Sequence, residues 1–262
     1  MKLLGVVLPL FLLAASHLCS AEDAVAARLI HILRPKFGSA GTGAKMKGVS
    51  CSSWQLAVET DNLRDWSTIP AGCESYLGHY MLGGRYRNDS RVVADSAVEY
   101  ALSLQRFHRN TDIWIFDVDE TSLSNLPYFS QHGFGVQPYN KWRFGKWVMK
   151  GAAPPLPETL RLYKVLVSVG IKVVFLTGRT AEYRNATVYN LKKAGYHTWE
   201  KLILRSANQG GTALQYKSEV RARLERGGLR IVGNIGDQWS DILGSPEGER
   251  TFKLPDPMYY IS

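Results

Sequence analysis

Apart from its N-terminus, the 262-residue chain has no stretch of eighteen uninterrupted apolar residues, so no later segment reads as a membrane span. Internal repeats and long low-complexity tracts are also missing, which removes repeat arrays and disordered tails from consideration. Lys and Arg outnumber Asp and Glu by 32 to 23, a formal charge of +9, yet no basic run is massed anywhere. Scattered cations argue against a nucleic-acid partner and leave a general attraction for anionic substrates or acidic polymers. Histidine is sparse: His79, His108, His132 and His197 are dispersed and lie outside the acidic motifs described below, which leaves them structural or surface roles.

Cysteine is scarcer still, at three residues, and its placement is informative. Residues 1–21 read as a secretory signal, with Lys2 as the positive start, Leu3 to Ala15 as a short apolar stretch, and Cys19-Ser20-Ala21 as a small-residue cleavage site. Removal of Cys19 leaves Cys51 and Cys73 as an even pair on an oxidising route, and a disulfide is the expected outcome. Closing that loop stabilises by about 3 kcal/mol on chain-entropy grounds. Two glycosylation sequons, Asn88-Asp89-Ser90 and Asn185-Ala186-Thr187, fit the same compartment.

Residues 22–110 read as a mainly helical extension. Ala24 to Leu33 has a helical apolar period, Pro35 to Gly48 looks like a flexible connection, and Ser52 to Leu104 is helical in spacing. From 111 to 262 the pattern changes. Short apolar runs at 113–117, 171–176, 200–204 and 230–235 alternate with helical patterns at 138–149, 157–169, 180–194 and 216–226. This alternation predicts an α/β domain with a mostly parallel sheet covered on both faces. The segment 122–156 is dense in aromatics, including Tyr128, Phe129, Tyr139, Trp142, Phe144 and Trp147, and reads either as core or as a flap that excludes water.

Four predicted strand or helix ends carry residues suited to anion and metal chemistry. Ile113-Trp114-Ile115-Phe116 runs into Asp117-Val118-Asp119-Glu120-Thr121, whose two aspartates face the same way in an extended segment. Carboxylates that close repel, and a divalent cation or a shared proton relieves them. A second strand runs into Thr177-Gly178-Arg179, where a hydroxyl, a glycine and the amides of a following helix form a phosphate cradle. Arg179 itself stays open between phosphate binding and a structural ion pair. Lys217 opens a later helix, and a final strand leads into Gly236-Asp237-Gln238-Trp239-Ser240-Asp241, which suits Mg²⁺.

In this order the motifs resemble the haloacid dehalogenase superfamily over roughly residues 110–255. The whole mature chain, with its ending Leu254-Pro255-Asp256-Pro257-Met258-Tyr259-Tyr260, is similar to the plant acid phosphatase and vegetative storage protein family, itself similar to bacterial class B acid phosphatases. The resemblance implies a Rossmann-like domain with no large cap, since only 60 positions separate Asp117 from Thr177 and 40 separate Thr177 from Lys217. It implies Asp117 as nucleophile and Mg²⁺ ligand, and Asp119 as general acid/base and a ligand through its backbone carbonyl. Thr177 and Gly178 would bind phosphoryl oxygens, and Lys217 would bridge nucleophile and phosphate. Asp237 would be the second metal carboxylate, with Asp241 in support. A protonated Asp119 suits an acidic optimum.

The expected activity is therefore hydrolysis of small phosphomonoesters, in the apoplast or a vacuole, with no nucleic-acid or membrane partner and a homo-oligomer left open. A storage protein with vestigial activity is the alternative, against which stand the retained Asp117 and the lack of extreme Asn or Gln enrichment. A carbohydrate-binding module rests only on aromatics and basic charge.

Overall fold

Before the α/β pattern begins, the chain builds a helical layer. A computed structural model describes residues 45–46, 49–104 and 110–262; the expected signal, the helical period at 24–33 and His108 lie outside the described residues. Strands β1 (Lys45–Met46) and β2 (Val49–Ser50) pair antiparallel, so the end of the expected flexible connection contributes to a short hairpin instead. Helix α1 (Cys51–Glu59) follows at once, with the Ser50 hydroxyl accepting from the Ser53 amide as its N-cap. Helices α2 (Glu74–Leu82) and α3 (Gly84–Ser103) complete this layer. The expected disulfide is present: Cys51 and Cys73 are joined, both fully buried, with Trp54, Val58, Ile69 and Leu77 packed around them.

The rest alternates strand and helix: β3 (Asp112–Phe116), α4 (Leu126–Phe129), α5 (Lys141–Lys150), α6 (Pro157–Ser168), β4 (Lys172–Thr180), α7 (Arg184–Lys193), β5 (Lys201–Arg205), α8 (Ala213–Arg226), β6 (Arg230–Gly236), α9 (Trp239–Ile242) and β7 (Thr251–Lys253). Five strands form one sheet in the order β5-β4-β3-β6-β7, parallel throughout. Every residue of β3 is buried because both sheet faces are covered, which is why these strands read as continuous apolar runs rather than alternating ones. Trp114 and Phe116 join a core with Ala97 and Ala101 of α3, Leu162 and Leu166 of α6 and Leu191 of α7. Ile113 and Ile115 point the other way, onto Tyr216, Val220 and Leu224 of α8. The described residues form one compact unit, in keeping with α3 packing into the sheet's own core.

Three differences from expectation have local causes. Strand β7 follows a polar segment and is only three residues long, so it carries no apolar run, yet Phe252 stacks on Trp114 at 5.3 Å. That stack needs Gly233 beside it, because a Cβ there would lie 2.4 Å from the Trp114 ring. Helix α8 begins at Ala213, not 216, since Thr212 and Gln215 form a reciprocal capping box. The third difference lies at the functional end of β4 and is taken up below. Among the described residues no helix is long and apolar enough to cross a membrane.

Candidate active site

The parallel register brings the ends of β3, β4 and β6 side by side: Phe116 sits opposite Phe175 on one side and Ile235 on the other. The residues just beyond these partners are therefore neighbours at the carboxyl edge of the sheet, where ligands of such folds bind. Asp117 is pinned there by its amide, which donates to the Ile235 carbonyl at 3.1 Å. The chain then turns sharply, with Glu120 in the left-handed region at φ 51° and the Leu123 amide donating back to Val118 at 2.8 Å. Val118 is buried in the core, so Asp117 and Asp119 on either side of it both line the cavity, as the alternation predicted.

Lys217, on the second turn of α8, lies between two carboxylates. Its ammonium donates to Asp117 at 2.6 Å and also to Asp241, and all three side chains are nearly inaccessible. Gly236 is what lets Asp241 approach, because a Cβ there would lie 2.3 Å from that of Asp241. Asp237 accepts from the Thr121 hydroxyl and from the Gln238 side-chain amide, both at 2.9 Å. Oxygen atoms of Asp117, Asp237 and Asp241 all fall within 4.8 Å of one another.

The charges are unbalanced. Burial pushes Asp117 well above the usual carboxylate range, opposed by Lys217 and reinforced by Asp241, Asp237 and Asp119. Burial and the repulsion of Asp241 raise Asp237 to about 7, and burial with Asp119 and Asp237 raises Glu120 to about 8. Asp256, buried beside Asp237 and Glu120, is raised well above its ordinary value too. Burial alone would lower Lys217, but Asp117 and Asp241 outweigh it and hold the ammonium charged. A cluster with surplus buried negative charge and only hard oxygen donors fits a divalent cation such as Mg²⁺ or Mn²⁺.

Asp119 faces a different partner. The Arg179 guanidinium grips it in a fork, with Nη2 at 2.7 Å from Oδ1 and Nε at 3.0 Å from Oδ2. Of the two readings left open in the sequence, the ion pair is present: Arg179 is buried, pairs with Asp119, and also donates to the Thr187 hydroxyl at 3.1 Å. The Arg179 amide donates to the Thr177 hydroxyl oxygen at 3.1 Å. Here β4 departs from expectation. The strand continues through Thr180 after a register shift at Thr177, and helical structure starts only at Ala181, so Thr177 and Gly178 sit in a bulged strand end and not directly on a helix N-terminus. Gly178 lines the cavity, and among the described residues none beyond its own chain neighbours comes within 4 Å of where its Cβ would be.

Above these groups is a cavity of about 440 Å³ whose walls include Phe129, Tyr139, Phe144, Tyr183, Tyr259 and Tyr260. The aromatic segment thus serves both readings: Tyr128 and Phe129 are buried, while Tyr139 and Phe144 face the opening. His79, His132 and His197 are absent from the cavity walls. Four polar residues escaped notice in the sequence. Buried Asn125 donates to Asp119 at 2.7 Å and to Glu120 at 2.9 Å. Gln238 ties Asp237 to Asp256, at 2.9 and 3.0 Å. The Tyr259 hydroxyl donates to Glu120 at 3.1 Å, bringing the C-terminal segment onto the same cluster. Glu120 and Gln238 sat beside recognised aspartates and were within reach of that adjacency; Asn125 and Tyr259 arrive only through tertiary folding.

Comparison with known proteins identifies the family. Residues 38–262 match the family described as HAD superfamily, subfamily IIIB (Acid phosphatase). The chain is 50% identical to "Acid phosphatase 1" of Solanum lycopersicum, over 81% of this chain and 84% of that protein. It is also 50% identical to the "Stem 28 kDa glycoprotein" of Glycine max, over 84% and 87%. Identity to "Vegetative storage protein 1" of Arabidopsis thaliana is 38%, over 100% and 99%. Among solved structures, a class C acid phosphatase from Bacillus anthracis shares the fold, with a TM-score of 0.58 at 21% identity, over 80% of this chain and 86% of that one. With its family matched across all but the first 37 positions and its strand ends arranged as above, the chain belongs to the acid phosphatase family of the HAD superfamily, subfamily IIIB.

Proposed function

We propose that this protein is a secretory-route acid phosphatase that hydrolyses small phosphomonoesters through an aspartyl-phosphate on Asp117. The observation that carries the reading is the placement of a buried Asp117 against Lys217, with Asp237 and Asp241 close by and an open cavity above. Asp117, Asp237 and Asp241 would hold Mg²⁺, together with the Asp119 backbone carbonyl. When bound, the ion offsets the negative charge shared by nucleophile and phosphoryl group.

An Asp117 carboxylate oxygen attacks phosphorus, the bond from phosphorus to the leaving oxygen breaks, and Asp119 gives that oxygen its proton, so an alcohol departs. Water then attacks the phosphorus of the aspartyl-phosphate and loses a proton to Asp119, which releases phosphate and regenerates both acids. Lys217 favours the ionised form of Asp117 against its burial and attracts the incoming dianion, while Thr177 and Gly178 receive the phosphoryl oxygens. Arg179 links binding to acid catalysis. A phosphate dianion entering the cavity competes with Asp119 for the guanidinium, which frees the Asp119 carboxyl to turn toward the leaving oxygen.

The buried disulfide and the exposed Asn88 and Asn185 suit an oxidising, glycosylating route, and the stem and storage names of the relatives suit the apoplast or a vacuole. Those storage names also favour a second reading, a storage protein with vestigial turnover. Phosphate release from p-nitrophenyl phosphate at acidic pH, with Mg²⁺ or with chelator and beside Asp117→Asn, separates the two. Metal-dependent turnover abolished in the variant supports the enzyme; a folded, metal-supplied protein without turnover supports storage.

A further inference from the structure

Asn125 stands at the junction of the catalytic loop and the aromatic wall and is fully buried. Its side-chain oxygen accepts from the Trp147 indole N–H of α5 at 2.8 Å. Its amide nitrogen donates to Asp119 Oδ1 at 2.7 Å and to Glu120 Oε2 at 2.9 Å. An indole can only donate and these carboxylates accept, so the two sides fix the same amide orientation: oxygen toward Trp147, NH₂ toward the acids. Trp147 is held in turn by its surroundings, packing against both the main core and the cluster of Tyr128, Phe129 and Phe144. Its helix neighbours Phe144 and Val148 line the cavity.

We propose that Asn125, oriented by Trp147, is a positioning residue that holds the Asp119 carboxyl at the angle needed to protonate the leaving oxygen, and that it ties this angle to the wall contacting the substrate's organic part. Besides Arg179, Asn125 is the side-chain donor to Asp119 among the described residues. When the phosphate draws Arg179 away, Asn125 remains. It occupies Oδ1 with a donor, which leaves Oδ2 as the oxygen that carries the proton toward the cavity. A group placed within hydrogen-bond reach but free to rotate loses much of the benefit of general acid catalysis, so a single buried amide matters here.

The inference rests on the phosphatase reading, and its test is chosen to fail separately. An alkyl phosphate expels a poor leaving group that needs the proton, whereas p-nitrophenolate departs largely without it. The measured quantity is kcat/KM, which ends at departure of the leaving group and is blind to later hydrolysis of the aspartyl-phosphate. Asn125→Leu keeps roughly the bulk of the side chain and removes the donor without adding a charge. The ratio of kcat/KM for an alkyl phosphate to that for p-nitrophenyl phosphate is expected to fall by about tenfold or more. Trp147→Phe leaves Asn125 in place without its orienting donor; the same ratio is expected to fall about threefold, as for one lost neutral hydrogen bond. Should Asn125→Leu not fold, Trp147→Phe decides. Equal losses for both substrates, or an unchanged ratio, would overturn the positioning role while leaving the phosphatase reading intact. A wild-type protein inactive on both substrates would overturn the two together.

Discussion

Asp117 and Asp237, on the floor of the cavity, and Thr177 at the neighbouring strand end are 6, 1 and 0% exposed, whereas Tyr139, Trp142 and Met149, on the segment that walls it, are 63, 67 and 61% exposed. The floor residues leave the sheet from three adjacent strands whose register is fixed by backbone pairing. The wall rests on a ten-residue helix joined to the floor by side chains, Trp147 to Asn125 among them. On the proposed function, chemistry that tolerates little misplacement would be held by the rigid sheet, and contact with the variable organic part of a substrate left to a more adaptable layer. Substitutions that respect this division should affect turnover on the floor and affinity on the wall.

The largest expected effect is on the floor. Asp117→Asn removes the attacking oxygen and should lower kcat by on the order of 10⁴-fold or more. Because it also removes one of several mutually repelling buried carboxylates, the thermal midpoint should stay level or rise. Single-turnover phosphate release and a melting curve check both halves. A variant that kept substantial turnover would show that another group attacks. Withdrawing the divalent ion should cost about a hundredfold or more and be reversible. Titration of Mn²⁺ into chelator-treated protein and into Asp237→Asn, followed by electron paramagnetic resonance, should show weakened binding in the variant. Unaltered binding would remove Asp237 from the metal site.

The disulfide probes the layer beneath the wall. Cys51 and Cys73 pack with Trp66, Ile69 and Val136, and Trp66 also lines the cavity. Replacing both cysteines by serine should cost about 2–5 kcal/mol of stability, read from denaturant unfolding. At temperatures where the fold persists, KM should rise while kcat holds. A matching fall in kcat would mean that the extension supports the floor as well.

How far each layer can be read from sequence follows from the same division. Asp117, Thr177 and Asp237 each end an apolar run, so strand and chemistry stand next to each other in the chain, and the order of the motifs stood in for the topology. Lys217 was recognisable only through that order, since it lies on a helix 100 positions from Asp117. Asn125 had no such cue: its meaning comes from an indole 22 residues away and from a tight turn that brings it back onto Asp119 and Glu120. The backbone expected around Thr177 and Gly178, a helix N-terminus, was wrong, because a bulge in β4 leaves no mark on apolar periodicity. Strand β7 was missed because three residues offer too little pattern for any period.

The smallest expected effect lies on the wall itself. Phe144 packs against Tyr128 at 5.3 Å and Tyr139 at 5.6 Å while facing the cavity, and it makes none of the hydrogen bonds around Asp119. Truncating it removes aromatic contact area and leaves the Trp147 to Asn125 link standing. Phe144→Ala should therefore raise KM for aryl phosphates about fivefold, in line with roughly 1 kcal/mol for one aromatic pair, and leave kcat within about twofold. Small alkyl phosphates, which reach less of the wall, should show a smaller rise in KM. The informative failure is a fall in kcat for both substrate classes, because that would make the wall part of the floor's own support and erase the separation between them.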